Sequence, residues 1–211
     1  MLKQLQRFFK KKDEKKRADN YWIFVSMLVG SVLSLIASFV LSVEAVELAR
    51  NPEAVLACSI NVVLNCATVG IHPSAAMFGF PNSFLGLIAE PIVMTVAIAG
   101  LAGVKFPKKF MFTAQIFYTL GFLFAYYLLY LSMFVIGALC PWCLLVTITT
   151  TFVFFSMTRY NIRENNLFLP KKWSAAAQRF IEKDYDKLGW FLVVATGGFS
   201  ILIKCRDGLF G

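Results

Sequence analysis

Four of the chain's five cysteines form two pairs. Cys58 and Cys66 lie eight positions apart, and Cys140-Pro141-Trp142-Cys143 is a CxxC sequence. Neighbouring thiols exchange disulfides, with the thiolate as the attacking species. A bridge between positions i and i+3 closes too small a loop to stabilise a fold much through chain entropy. The CxxC pair is therefore read as redox chemistry. For Cys58 and Cys66, a structural staple and a redox role both remain open. A continuous helix would hold their Cα atoms about 12 Å apart, whereas a disulfide needs about 7 Å or less. Either the segment folds back when the two pair, or helix formation separates them and frees Cys66 to attack Cys140. Cys205 is left as a free thiol or as one half of an intermolecular bridge. With a single histidine, His72, a metal site built on these cysteines lacks matching ligands, and none is expected.

The elements that must position these thiols are membrane helices. Of 211 residues, 58% are hydrophobic and mean hydropathy is +0.67, well above the soluble average of roughly 45–50% apolar residues. Long charge-free runs mark spans at 21–43, 82–104, 110–136, 139–157 and 188–203, the last short for a bilayer core of about 30 Å. Trp190 and Lys204 are expected as its interfacial anchors. The fold class is an all-α integral membrane protein: a four-helix transmembrane bundle with a fifth transmembrane helix. Short connections favour an up-down arrangement.

The 21 basic residues all fall outside the spans. Residues 1–20 carry eight, the connection 105–109 three and the segment 158–187 seven. The opposite side carries only Arg50, Lys204 and Arg206. Positive-inside bias makes the N terminus cytoplasmic and the C terminus exoplasmic. The net charge of +9 is thus topological rather than a nucleic-acid footprint, and lipid is the partner it implies. No cleavage site follows the first span, so that span is expected to stay as an anchor. Four units follow: a solvated basic arm at 1–20, a four-helix catalytic domain at 21–158 with an exoplasmic loop at 44–81, an amphipathic cytoplasmic linker at 159–187, and the fifth helix with its tail at 188–211. Glu44, Glu47 and Glu53 suggest that the first helix continues beyond the membrane.

This topology places all four paired cysteines on the exoplasmic side, where disulfides persist. Cys140 opens the fourth span, so the helix dipole and free N–H groups favour its thiolate, and Pro141 suits the first helical position. Cys143 lies one turn deeper, nearer lipid. Glu90 is an acidic residue inside a span, which points to function; a proton-handling role and a protonated or interhelically bonded carboxyl are both open. His72 is an ordinary loop residue or a proton shuttle. Phe117, Phe124, Tyr126, Tyr127 and Tyr130 are expected to pack the bundle.

Residues 21–158 resemble the vitamin K epoxide reductase family. The likeness rests on Cys58 and Cys66, then Phe80-Pro81-Asn82-Ser83-Phe84-Leu85-Gly86 opening the second span, then Cys140-Pro141-Trp142-Cys143 opening the fourth. The resemblance implies a bundle around a quinone pocket, with Cys143 facing the ring and Cys140 its exchange partner. It further implies that Cys66 shuttles to Cys140, that Cys58 meets an external thiol protein, and that Asn82 bonds a quinone carbonyl. A donor aimed at an oxygen that gains charge would stabilise reduction; a helix cap after Pro81 is the other reading of Asn82. The family often has Ser or Thr where this chain has His72, with Thr68 and Ser74 as substitutes, and Thr147 stands where animal members carry tyrosine. The function implied is a quinone-linked thiol oxidoreductase, an enzyme of oxidative protein folding in the bacterial plasma membrane. It would take electrons from a separate extracytoplasmic thioredoxin-fold protein, because the 211 residues leave no room for a fused one, and pass them to menaquinone or ubiquinone. Vitamin K quinone or epoxide reduction, and a non-enzymatic module with structural disulfides, are the alternatives.

Overall fold

The computed structural model describes residues 2–204 apart from residues 57 and 60–62, with side chains from Arg17 onward. The helices are α1 (Leu2–Arg50), α2 (Cys66–Ile71), α3 (Ser83–Leu101), α4 (Lys108–Leu131), α5 (Pro141–Arg163), α6 (Lys171–Glu182) and α7 (Tyr185–Lys204). Five are long and apolar enough to cross a membrane: α1 from Arg17, α3, α4 continued to Ile136, α5 and α7. Among the described residues no strand forms, which suits a bilayer, where each span must satisfy its own backbone groups. The chain is thus an all-α multi-pass membrane bundle.

The first helix runs unbroken from the basic arm to Arg50, so the arm is helical in backbone and the outer extension suggested by Glu44 and Glu47 forms. α1 packs against both α3 and α5, and α5 also carries α4 and α7. The contact face of α1 is a file of buried serines, Ser31, Ser34, Ser38 and Ser42. Small residues let helices approach closely where lipid removes the hydrophobic drive. Gly86 of α3 sits opposite: a Cβ there would lie 2.1 Å from Ser38 Oγ. Nearby, Ser42 donates to Ser83 Oγ at 2.9 Å. An apolar core of Phe24, Met27, Val93, Ala97, Met111 and Val153 fills the half of the bundle remote from the cysteines.

α3 and α4 stay apart along most of their length. Tyr118 of α4 crosses the seam to Glu90 of α3 at 3.5 Å. At the end nearer the cysteines, Phe78 meets Phe124 with ring centroids 5.4 Å apart, and Phe80 stacks on Phe84.

Three expectations change. The fifth helix has 20 residues rather than 16, about 30 Å at 1.5 Å per residue, because Tyr185, Asp186 and Lys187 form its first turn. Trp190 is not an interfacial anchor: its ring packs on Phe152 of α5 at 5.5 Å and its indole nitrogen is buried. Phe117, Tyr127 and Tyr130 do not pack the bundle but are exposed on the lipid side, since hydrocarbon accepts an aromatic ring as readily as a core does. Phe124 does pack, against Phe78, and Tyr126 shares a 2.8 Å hydrogen bond with Thr151. Lys204 lies over the Phe134 ring. Cys205 lies outside the described residues.

Candidate active site

The loop between α1 and α2 folds back on itself. Cys58 and Cys66 are joined in a disulfide with Cα atoms 5.6 Å apart, so the first of the two sequence alternatives is the one adopted. Ser59 and Asn65, the residues beside the two cysteines, hold the fold: Ser59 donates to Asn65 Oδ1 at 3.1 Å. The same oxygen accepts from the Thr68 N–H at 3.0 Å and caps α2, a role suited to Asn at a helix start.

Backbone bonds then fix this loop beside α5. Leu139 N–H donates to Val63 O at 2.7 Å, and Asn65 N–H donates to Leu139 O at 2.9 Å. The bridge aligns Leu64 with Leu139, two residues before Cys66 and one before Cys140. Before it, α4 loosens into a π-turn at Ser132–Ile136 that ends at Gly137 with φ +74°, a left-handed conformation suited to glycine. The reversal delivers Ala138, Leu139 and Cys140 to the loop.

As a result Cys66 Sγ lies 3.3 Å from Cys140 Sγ. Cys140 is 2% exposed and Cys66 3%, so both sulfurs are shielded from water. Cys140 and Cys143 are both free thiols. Cys140 is the N-cap of α5, and the Cys143 N–H donates to its sulfur at 3.3 Å. A hydrogen bond from the Cys143 thiol holds the Cys140 thiol below the ordinary range; burial opposes this, and the Cys143 and Trp142 N–H groups assist it. Cys143 is half-buried and packs against the cluster of Leu48, Leu56, Cys58, Cys66 and Cys140. The four cysteines therefore meet at one place, with a preformed route between the pairs.

The remaining sequence candidates divide. The Asn82 amide donates to Ser74 O at 2.7 Å, and its oxygen accepts from the Met77 N–H at 3.3 Å. It makes no side-chain cap on α3; instead it braces the turn that precedes the helix. His72 Nδ1 accepts from the Ser74 N–H at 3.2 Å and lies 2.8 Å from Ser74 Oγ, capping a short 3-10 turn at Pro73–Ala76. Ser74 thus serves the loop itself, and Thr68 enters it through its backbone N–H. Thr147 Oγ1 donates to the Cys143 carbonyl at 2.9 Å. Glu90 is 4% exposed, and its Oε1 accepts from Ser34 at 2.9 Å and from Tyr118. Its Oε2 has no partner among the described residues.

One residue at the site carried no sequence signal as a contact. Glu44 Oε1 lies 3.1 Å from Cys58 Sγ. The acidic cluster at 44–53 pointed only to a helix extension, and nothing in the 14-residue separation announces the meeting. Glu44 and the two loop sulfurs lie within 4.8 Å of one another, the spacing of metal ligands. With the sulfurs joined to each other, the thiolates a metal would need are absent.

A scan against family models matches residues 25–158 to the vitamin K epoxide reductase family. The chain belongs to that family. The matched span runs from the first turns of α1's apolar stretch to near the end of α5, so it holds both cysteine pairs and their bridge. Family membership makes the chain a membrane oxidoreductase. No curated protein matches it.

Proposed function

We propose that the protein oxidises a separate extracytoplasmic thioredoxin-fold protein and passes the electrons to a membrane quinone, supporting disulfide formation outside the cell membrane. The observation that carries this reading is the 3.3 Å approach of Cys66 to Cys140. An external thiolate reduces Cys58–Cys66. Cys66 then attacks Cys140 of the oxidised CxxC, and Cys143 leaves. Resolution by Cys58 regenerates the loop disulfide and leaves Cys140 and Cys143 reduced, the redox state seen here. Two purely structural staples would give no reason for a free thiol beside a disulfide.

A quinone accepts two electrons and two protons when it is reduced. The fit for such a ring rests on half-buried Cys143 and on the seam where α3 and α4 stay apart, whose aromatic rim includes Phe78, Phe84 and Phe124. Asn82 braces that rim, and its amide retains a second N–H for a carbonyl. Glu90, buried beside the seam with one unpartnered oxygen, is the group placed to hold a proton. His72 is engaged by its turn. Thiol oxidation is favoured over epoxide reduction because Thr147 spends its hydroxyl on backbone and offers no phenol. Menaquinone and ubiquinone both suit this chemistry. The basic inner face supports orientation with the site outward in a bacterial plasma membrane.

Purified protein mixed with a reduced thioredoxin-fold dithiol and a short-chain quinone should consume quinone, followed by its absorbance. Cys143→Ala should abolish the reaction. Quinone loss unaffected by that change would defeat the proposal, and turnover of a quinone epoxide with dithiol would favour the other physiological direction.

A further inference from the structure

The loop cysteines are served by a carboxyl that the relay has so far left unused. Glu44 Oε1 touches Cys58 Sγ at 3.1 Å. A disulfide sulfur carries no hydrogen, so any proton in that contact belongs to the carboxyl. The second oxygen, Oε2, is buried without a hydrogen-bond partner among the described residues. An ionised carboxylate is expensive to leave in that situation, whereas the carbonyl oxygen of a neutral acid is much less so. The contact suits an acid O–H directed at the sulfur of Cys58.

We propose that Glu44 is the catalytic acid and base of Cys58 in the exchange between the loop pair and Cys140, an inference that rests on the relay reading. In the forward direction the Glu44 carboxylate takes the Cys58 thiol proton. The Cys58 thiolate attacks Cys66, the Cys58–Cys66 bond forms, the Cys66–Cys140 bond breaks, and Cys140 leaves as a thiolate under the Cys143 N–H. Cys58 is oxidised and Cys140 reduced, two electrons pass, and the proton rests on Glu44. In reverse, Cys140 attacks Cys66, and Glu44 returns its proton to the departing Cys58. Burial makes this transfer necessary, because Cys58 is 7% exposed and water is a poor substitute there. The ionisable groups facing Glu44 are Cys58 and Cys66 from the loop and α2, and Cys140 and Cys143 from the start of α5. Glu47 and Arg50 follow on its own helix.

The exchange can be isolated in full-length protein carrying Cys143→Ala and Cys205→Ala. There only Cys58–Cys66 and Cys66–Cys140 interconvert, and each Cys58 thiol released is counted, after acid quenching at intervals, as the Cys66–Cys140 peptide formed with it. Release should follow a bell-shaped pH profile, its acid limb from Cys140 ionisation and its alkaline limb from loss of the Glu44 proton. Adding Glu44→Gln should slow release about 100-fold, in the range for general acid–base catalysis, and remove the alkaline limb. Glu44→Asp should restore part of the rate. Equal rates and profiles with and without the carboxyl, or no Cys58 release at all, would overturn the proposal. No quinone takes part, so failure here is separable from failure of the quinone reading, which unmodified protein tests.

Discussion

At the residue scale the site depends on making one sulfur of a pair a better anion than the other. Cys140 has this role because it caps α5 and receives both the Cys143 thiol and its N–H. The sign is definite: a thiol held below its ordinary range is a thiolate at lower pH than a free cysteine. Thiolate ultraviolet absorbance in the loop-oxidised protein should therefore rise at a pH below that of a model thiol. Cys143→Ala removes the leading cause and should move the rise upward, while the helix cap keeps part of the effect. An unchanged midpoint would mean that the Cys143 thiol does not donate to Cys140. The CxxC at a helix start was legible in the sequence, and so was this asymmetry in outline. The contact of Glu44 with Cys58 was not, because it depends on how the loop returns to α1 rather than on any local pattern.

At the element scale, alignment of the two pairs falls to a short stretch of backbone. Neither Val63 nor Leu139 announces itself, since the N–H and carbonyl that join them are common to all residues. The bridge was for that reason invisible in the sequence, although the four cysteines and the spans were plain. Leu139→Pro deletes the N–H that bonds Val63 O. The loss of one buried hydrogen bond, about 1 kcal/mol, should loosen the 3.3 Å approach of Cys66 to Cys140. Exchange between the pairs, followed by quenched peptide mapping, should slow by roughly fivefold, and direct oxidation of the Cys140–Cys143 pair by quinone should persist. Equal slowing of both steps would point to general disruption of α5. The divergent aromatics follow similar logic: apolar periodicity identifies Phe117 and Tyr127 as membrane residues but cannot tell lipid from a neighbouring helix.

At the scale of the whole molecule, charge distribution and packing meet at the basic end of the bundle. Arg159 of α5 bonds both carboxylate oxygens of Asp186 on α7, at 2.7 and 2.8 Å, and reaches Asp19 of α1 at 3.3 Å. Arg163 pairs with the same Asp19. One network thus ties the fifth helix to the catalytic bundle, and it explains why the polar residues at 185–187 belong to α7 rather than to the linker. Much of α7 faces outward through Phe191, Phe199 and Leu202; besides this network it is held by Trp190 on Phe152, Ile201 against the Met133–Leu139 cluster and Lys204 over Phe134. Arg159 and Asp186 side chains are only 13% and 11% exposed, so solvent screens them little; removing Asp186 leaves Arg159 with Asp19 and Asp184, so the cost falls below the roughly 3 kcal/mol of a buried charge left unpaired. Asp186→Ala should therefore lower the thermal inactivation temperature of the purified protein by several degrees. Activity at room temperature should be retained, because the network lies at the opposite end of α5 from Cys140. Double replacement of Arg159 and Asp186 by apolar residues of similar size should recover much of the loss, since it leaves no buried charge unpaired. An Asp186→Ala protein as heat-stable as the parent would show that lipid, rather than the ion network, holds the fifth helix in place.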